Sequence, residues 1–197
     1  MAATMNRDVL IDRIGGTGEG AALLRKVVLV ALGVAFMAAA AKIRVPMWPV
    51  PITMQTFAVL SLGAAYGARM GLATLIAYLA LGAAGVPLFT GSEAGLAYLV
   101  GPTGGYLVGF AVAAFAVGAL ARRGWSRSVG GMVGALLVGN AIIYAFGLPW
   151  MAWLFAAERG WGFVWTWGIG NFLIGDALKL ALAAVALPAA WKMLDRR

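Results

Sequence analysis

The sequence predicts an all-α polytopic membrane protein, a bundle of six transmembrane helices with both termini on the cytoplasmic side. Composition gives the first reason, because 63% of the 197 residues are hydrophobic and 11% are charged, whereas soluble domains have roughly 45–50% and about 25%. Six apolar segments and the uneven distribution of Lys and Arg between their connections give two more. A soluble enzyme and a disordered chain are therefore excluded.

Residues 1–26 are predicted to form a cytoplasmic N-terminal segment, and residues 27–197 the six-helix transmembrane domain. The segment mixes charges with a Gly-rich run, and no signal-peptide layout precedes the first apolar stretch. We expect this segment to be solvated and partly helical where it leads into the first span.

Polar or Gly- and Pro-rich connections separate the predicted spans. The six spans are residues 27–41, 53–66, 70–85, 106–121, 129–146 and 168–194. Several are shorter than the ~20 residues that cross ~30 Å of hydrocarbon at 1.5 Å per residue. Short spans of this kind are expected beside non-helical backbone that is buried within the protein.

Positive charge sets the predicted orientation. With the N-terminus inside, three cations lie outside, namely Lys42, Arg44 and Arg159. The eleven inside are Arg7, Arg13, Arg25, Lys26, Arg69, Arg122, Arg123, Arg127, Lys192, Arg196 and Arg197. This asymmetry follows the positive-inside rule. The net charge of +8 is therefore explained by topology, and we expect no nucleic-acid partner.

Several kinds of site are excluded by missing residues. The chain has no Cys and no His, so it has no disulfide, no Cys/His zinc site, no thiol catalyst and no His acid–base group. No Lys follows a Gly, so there is no Walker A loop for ATP. We expect neither catalysis nor a bound cofactor or metal.

Two charges inside the sixth predicted span mark the candidate site. Asp176 and Lys179 are three residues apart, so they share one helical face and can pair. A charge in the hydrocarbon core costs at least ~2.5–3.5 kcal/mol and usually marks function, which favours a polar substrate site. The alternative is an ion pair that only fixes helix packing.

Uncharged polar residues extend this candidate site. Asn140 lies in the fifth span and Asn171 at the outer end of the sixth, and each can contact a ligand or only join helices. Gln55 and Thr56 open the second span after a turn, residues 46–51, that contains three prolines. They either cap this helix or face a pocket from the outer side.

The connection of residues 86–105 is long, Gly-rich and partly apolar, which favours a lid over a cavity. Gly104 and Gly105 allow close backbone approach, and the helix that starts there offers free N–H groups to a polar or anionic ligand. The alternative is a capping turn with Thr103 as the cap.

Tryptophans concentrate between the last two spans. Residues 149–162 are predicted to be a short amphipathic piece in the outer interface, where an aromatic belt is expected. Stacking on a ligand ring is the alternative for Trp165 or Trp167, which lie near the start of the sixth span.

In their order along the chain, these segments resemble the BioY family, the biotin-specific substrate-binding (S) component of energy-coupling-factor (ECF) vitamin transporters. The matching stretches are residues 50–56, 82–89, 101–110, 139–140 with 146–150, and 175–179. The resemblance extends over about residues 25–195. Each stretch is weak alone, but together and in order they make a specific match.

The resemblance implies a multi-pass protein of the cytoplasmic membrane that holds one vitamin near its outer face. It also implies a transmembrane coupling subunit and two cytoplasmic ATPases as partners, in agreement with the missing Walker A loop. Ala31, Ala35 and Ala39 are spaced for close helix contact. They are similar to the Ala-x-x-x-Ala motif with which S components contact the coupling subunit.

The resemblance implies biotin as the ligand, and the polar groups of biotin then predict roles for the two charged residues. Asp176 accepts hydrogen bonds from the ureido N–H groups, and Lys179 neutralises Asp176 or reaches the carbonyl or the carboxylate. Other polar groups complete the site, and residues 46–51 and 91–105 close over the ligand. The further candidates are Gln55, Thr56, Gly95, Tyr106, Asn140 and Asn171.

The sequence also leaves other functions open. An S component for another small vitamin would share the architecture, and a stand-alone homo-oligomeric biotin transporter would work without ATPases. A membrane enzyme would need a clustered nucleophile, base or metal set, which the chain lacks. A channel would need a continuous polar stripe, and spans one to four lack one.

Overall fold

The computed structural model describes residues 9–13 and 19–194. The helices are α1 (Glu19–Lys42), α2 (Gln55–Tyr66), α3 (Ala68–Ala83), α4 (Leu96–Leu99), α5 (Gly104–Ala121), α6 (Val129–Gly168) and α7 (Leu173–Leu194). Short strands β1 (Arg44–Val45) and β2 (Ile52–Thr53) pair antiparallel, with Arg44 opposite Thr53. Three 3₁₀ turns are Leu10–Arg13, Trp125–Arg127 and Gly170–Phe172. Six helices longer than one turn thus confirm the predicted all-α fold.

Helix α5 forms the centre of the bundle and packs against α2, α3 and α6. Its sequence is apolar on every face, as expected for a helix surrounded by other helices. Helix α7 packs against α2 and α6, and α1 packs against α2 and α3. Most residues of α1 remain exposed on the other side.

Close contact between α5 and α6 explains the glycines at the start of α5. A Cβ atom on Gly105 would lie 2.4 Å from the Cβ of Trp150 and 2.6 Å from the carbonyl oxygen of Phe146. A Cβ atom on Gly104 would lie 2.0 Å from the carbonyl oxygen of Leu99. Atoms of the protein itself therefore approach Gly104 and Gly105 closely. The space beside these two glycines is not open to a ligand.

Three apolar stretches are long enough to cross a membrane, judged by length and composition. They are Ala22–Lys42, Gly104–Ala121 and Val129–Met193, and the last contains both α6 and α7. Helix α3 is apolar but shorter, and the 12 residues of α2 rise only ~18 Å at 1.5 Å per residue. The paired strands and turn that precede α2 supply the non-helical backbone that such a short helix requires.

Two predictions are wrong here: the end of the fifth span and the separate interfacial segment predicted to follow it. Instead of ending near residue 146, α6 continues through Pro149 to a break at Gly160, where φ is 77° and ψ is 166°. Residues 149–162 are thus not a separate amphipathic piece. Proline removes one backbone hydrogen bond, which helices in apolar surroundings tolerate, whereas the positive φ at residue 160 is a glycine conformation.

The sixth span also starts later than predicted. Gly168 ends α6, a 3₁₀ turn follows, and α7 begins at Leu173. Asp176 and Lys179 therefore lie only ~4.5 and ~9 Å along the helix axis from its start, nearer to the end of the bundle than the predicted starting residue implies.

Part of the N-terminal segment is packed against the bundle. Val9 and Ile11 are buried, and the turn Leu10–Arg13 contacts α2 and α7. Arg25 Nη2 donates a hydrogen bond to the carbonyl oxygen of Ile11 at 2.5 Å. The expectation of a solvated segment does not hold for these residues, because two apolar side chains in it complete the core.

Candidate functional site

A small cavity lies at the end of the bundle where α2, α5 and α7 begin. Its volume is about 40 Å³. The strand pair β1–β2 and the long loop of residues 84–103 approach it from the same end. The lining residues are Val50, Pro51, Thr53, Gln55, Thr56, Thr90, Tyr98, Thr103, Tyr106, Leu107, Phe110, Ile143, Tyr144, Phe172, Asp176 and Lys179.

The polar centre of the cavity is a buried ion pair. Lys179 Nζ lies 3.0 Å from Asp176 Oδ1, and 6% of Asp176 and 9% of Lys179 is exposed. Lys179 Nζ also donates to Thr56 Oγ1 at 3.1 Å, and Thr56 Oγ1 donates to Asp176 Oδ1 at 3.3 Å. The Tyr144 hydroxyl donates to the other carboxylate oxygen, Oδ2. These bonds compensate the desolvation of both charges.

Apolar and aromatic side chains form the rest of the wall. The ring of Tyr106 lies against those of Tyr144 and Phe172, with centroids 6.4 and 6.3 Å apart. The Tyr106 hydroxyl donates to the carbonyl oxygen of Gly168 at 2.7 Å. This hydrogen bond joins Tyr106 to the C-terminal end of α6. A mostly apolar cavity with a few placed polar groups is typical of a small-molecule site.

Gln55 and Thr56 both line the cavity. Gln55 is buried, its Nε2 donates to the Tyr78 hydroxyl at 3.0 Å, and its Oε1 accepts from Thr53 Oγ1 at 3.2 Å. The N-terminal cap position of α2 is Met54, which makes no side-chain cap bond. The structure therefore supports the interpretation in which Gln55 and Thr56 face a pocket, rather than the one in which they cap α2.

Asn140 lies behind the ion pair and does not line the cavity. Together with Thr56, Asp176 and Lys179 it lines a narrow crevice with no room for water. Its Oδ1 atom is buried and has no hydrogen-bond partner among the described residues. Asn140 thus lies beside the polar network but outside the cavity lining.

Two predicted site residues lie elsewhere. Asn171 is exposed in the 3₁₀ turn before α7, because the helix begins two residues later and leaves it outside the face of Asp176. Gly95 precedes α4, and its N–H donates to the carbonyl oxygen of Gly82 at 2.7 Å. Neither residue lines the cavity.

The two tryptophans proposed to stack on a ligand ring lie away from this cavity. Trp165 is 56% exposed, and Trp167 packs against Phe163 with ring centroids 6.1 Å apart. Neither lines the cavity. Thr103 precedes α5 but makes no side-chain cap bond, and it lines the cavity instead.

The long loop covers the cavity as an ordered structure. Phe89 is fully buried, stacks on Tyr98 with centroids 4.8 Å apart, and meets Tyr78 edge-on at 5.6 Å. Lys42, at the end of α1, donates to the carbonyl oxygens of Pro87 at 2.8 Å, of Phe89 at 2.7 Å, and of Gly91. One ammonium group thus fastens the loop to α1.

Sequence reasoning found Gln55, Thr56 and Tyr106 but missed several other uncharged residues of the cavity. Tyr144 follows Asn140 by four residues on α6, so helical spacing from Asn140 was a usable signal for it. Thr90 and Tyr98 fall within the predicted lid, but no pattern in the sequence distinguishes them from the other residues of that loop.

A wider vestibule of about 400 Å³ adjoins the cavity. Pro51, Thr90, Tyr98 and Thr103 line both spaces. Arg44 and Glu93 line the vestibule alone.

Ala31, Ala35 and Ala39 are all exposed on the outward side of α1. Exposed Leu32 and Phe36 lie beside them. The structure thus leaves the predicted partner face uncovered by the rest of the chain. Among the described residues, no cluster of three or more acidic side chains exists that could hold a metal ion.

Comparison with known proteins gives consistent matches. The sequence model of the BioY family matches residues 8–196. The probable biotin transporter BioY of Pyrococcus horikoshii is 35% identical over 161 residues, 82% of this chain and 93% of that protein. The biotin transporter BioY of Rhizobium etli is 35% identical over 145 residues, 70% of this chain and 75% of that protein.

A solved structure shares the fold. It is described as the S-component for biotin from an ECF-type ABC transporter. Its TM-score with this chain is 0.74 at 25% sequence identity, over 90% of this chain and 95% of that one.

Proposed function

The chain belongs to the BioY family, and on that premise we propose that it binds biotin for uptake, as the substrate-binding S component of an ECF-type transporter. The observation that carries the proposal is the buried network of Asp176, Lys179, Thr56 and Tyr144 in the wall of a mostly apolar cavity. The chain is thus a membrane transporter component rather than an enzyme.

Biotin fits the chemistry of this network. Its ureido group presents two N–H donors and one carbonyl acceptor, and an ionised carboxylate is an acceptor only. Asp176 can therefore receive the ureido N–H groups, while Lys179, Thr56 or the Tyr144 hydroxyl donates to the ureido oxygen. Such charge-assisted hydrogen bonds are stronger than those between neutral groups, and they orient the ligand in the cavity.

The apolar wall fits the rest of the ligand. The rings of Tyr106, Phe110 and Phe172 and the side chains of Leu107 and Ile143 line the cavity. They match the apolar bicycle and the start of the valeryl chain. Burial of this surface supplies binding free energy of about 25 cal/mol per Å² before the costs of association.

Entry of the ligand requires the long loop to move. A space of about 40 Å³ holds only a few water molecules and is too small for the biotin bicycle. The loop and the strand pair are the covering elements, so their opening admits the ligand. Closing them again excludes water and strengthens each polar contact.

The charge distribution supports a cavity that faces the outside of the cytoplasmic membrane. Apart from the buried Lys179, the end of the bundle that carries the cavity holds three cations among the described residues, Lys42, Arg44 and Arg159. The opposite end of the described structure holds more, among them Arg25, Lys26, Arg69, Arg122, Arg123, Arg127 and Lys192. Under the positive-inside rule the second end is cytoplasmic.

The exposed small-residue face of α1 supports the assembly part of the proposal. Ala31, Ala35 and Ala39 leave a flat strip on which another helix can pack closely within the membrane. We assign this strip to the transmembrane coupling subunit, with the cytoplasmic ATPases bound to that subunit.

Titration of biotin into detergent-purified protein, followed by calorimetry, tests the substrate. We expect tight one-to-one binding that thiamine, riboflavin and folate do not displace. If the folded protein ignores biotin and binds another vitamin, the chain is an S component of different specificity.

A further inference from the structure

Biotin ends in a carboxylate, and within the described part of the chain the cavity wall offers it no free cation. Of the described residues that line the cavity, Lys179 alone is a cation, and it is engaged by Asp176 at 3.0 Å and Thr56 at 3.1 Å. The adjoining vestibule brings one more cation, Arg44. Among the residues that line the two spaces, Arg44 is thus the cation left to meet an anionic group.

Arg44 lies beside both the strand pair and the long loop. It lies on β1 directly opposite Thr53, which lines the cavity. Its guanidinium group rests over Gly91, where an added Cβ atom would lie 3.1 Å from one terminal nitrogen. Lys42 fixes the carbonyl oxygen of that same glycine. The guanidinium therefore lies between the strand pair and the long loop.

Thr90 provides a second, independent observation. It is 3% exposed, lines both the cavity and the vestibule, and its Oγ1 atom has no hydrogen-bond partner among residues 9–13 and 19–194. A buried hydroxyl without a partner is costly. Its place at the junction of the two spaces points to a ligand group that accepts its proton.

We infer that the substrate carboxylate is bound at this junction by Arg44 and Thr90, while the ureido group lies at Asp176. The inference rests on the proposed function, since it takes biotin as the ligand. The valeryl chain then runs past Tyr98 and Pro51, which line both spaces. Glu93 also lines the vestibule. Its negative charge disfavours a substrate carboxylate placed next to it.

The test compares biotin with its methyl ester, which keeps the ureido group and loses the negative charge. Arg44→Gln should weaken biotin binding roughly 10- to 100-fold, the range of a hydrogen bond to a charged group. Binding of the ester should stay unchanged, which also shows that the variant is folded. Thr90→Val, which keeps the shape, should weaken biotin roughly threefold to tenfold.

Arg123→Gln is the matched control, because it removes an exposed Arg from the opposite end of the bundle. The inference is overturned if Arg44→Gln leaves biotin binding intact, or if it weakens biotin and the ester equally. Failure of the unaltered protein to bind biotin would instead overturn the proposed function. The two failures are therefore distinguishable.

Discussion

Asp176 is the residue on which the proposed recognition of biotin depends most. Its carboxylate accepts hydrogen bonds from Lys179, Thr56 and Tyr144, so a ureido group has to share this carboxylate with three donors. The same bonds can also be explained as an ion pair that only stabilises helix packing. Single substitutions do not separate the two roles, since breaking a buried pair leaves one charge uncompensated.

A paired substitution does separate them. Asp176→Asn and Lys179→Met should each abolish measurable biotin binding and lower the thermal midpoint, because each leaves a buried charge without its partner. The double variant removes both charges, so its midpoint should recover while binding stays absent. Thermal melts and calorimetry measure the two quantities. Normal biotin binding by the double variant would assign the pair to packing alone.

Tyr144 offers a finer test of the network. Tyr144→Phe removes the hydroxyl on Asp176 Oδ2 and keeps the ring. We expect biotin binding to weaken roughly 10- to 100-fold, as for a hydrogen bond to a charged group. Tyr66→Phe is the control, because that hydroxyl donates to the carbonyl oxygen of Leu29, away from the cavity. Equal effects of the two substitutions on affinity would remove Tyr144 from the proposed site.

At the residue scale, charge was the signal that sequence alone provided. A charge in an apolar span is expensive, so Asp176 and Lys179 stand out, and helical spacing joins them. Tyr144 and Thr90 are ordinary residues in an apolar sequence, and only the packing of α6 and the long loop brings them to the cavity. Asn171 was misplaced because the start of α7 depends on the turn before it.

At the scale of elements, apolar length predicts helices well and their ends poorly. Helices α2, α3 and α5 begin and end within two residues of their predicted spans, because turns rich in Gly or Pro bound them. The course of α6 was not predictable, since Pro149 usually marks a helix end but lies here inside a helix that breaks only at Gly160.

Lys42 connects two elements, and its removal tests the lid. Lys42→Met deletes the donor to the carbonyl oxygens of Pro87, Phe89 and Gly91. Because the long loop is then less firmly closed, biotin should dissociate faster, by roughly 10-fold or more, while association is not slowed. Stopped-flow measurement with a fluorescent biotin analogue gives both rates.

Lys26→Met is the control for Lys42→Met, since Lys26 is exposed on the same helix, far along the chain from the long loop. Unchanged dissociation in Lys42→Met would mean that the loop does not gate the cavity. A slower association would mean that the loop collapses over the site when it is released.

At the scale of the whole molecule, the proposal requires two separate surfaces. One is the cavity proposed for the vitamin, and the other is the exposed strip of α1 proposed for the coupling subunit. Ala35→Trp should therefore leave biotin binding unchanged and abolish uptake in cells that express the whole transporter, because a large side chain prevents close helix contact. Ala181→Trp, on an exposed position of α7, should spare both.

Two results of that uptake assay would contradict the assembly proposed here. Normal uptake by Ala35→Trp would show that the strip is not the contact surface. Equal uptake in cells without the ATPases would favour the stand-alone homo-oligomeric transporter.

The structure of the protein with biotin bound is the most direct measurement of the central claim. We predict the ureido ring within hydrogen-bond distance of Asp176 and Tyr144, the bicycle against Tyr106 and Phe172, and the long loop closed over the valeryl chain. Biotin bound outside this cavity, for example in the apolar groove between Leu148 and Trp165, with the Asp176–Lys179 pair undisturbed, would contradict the account.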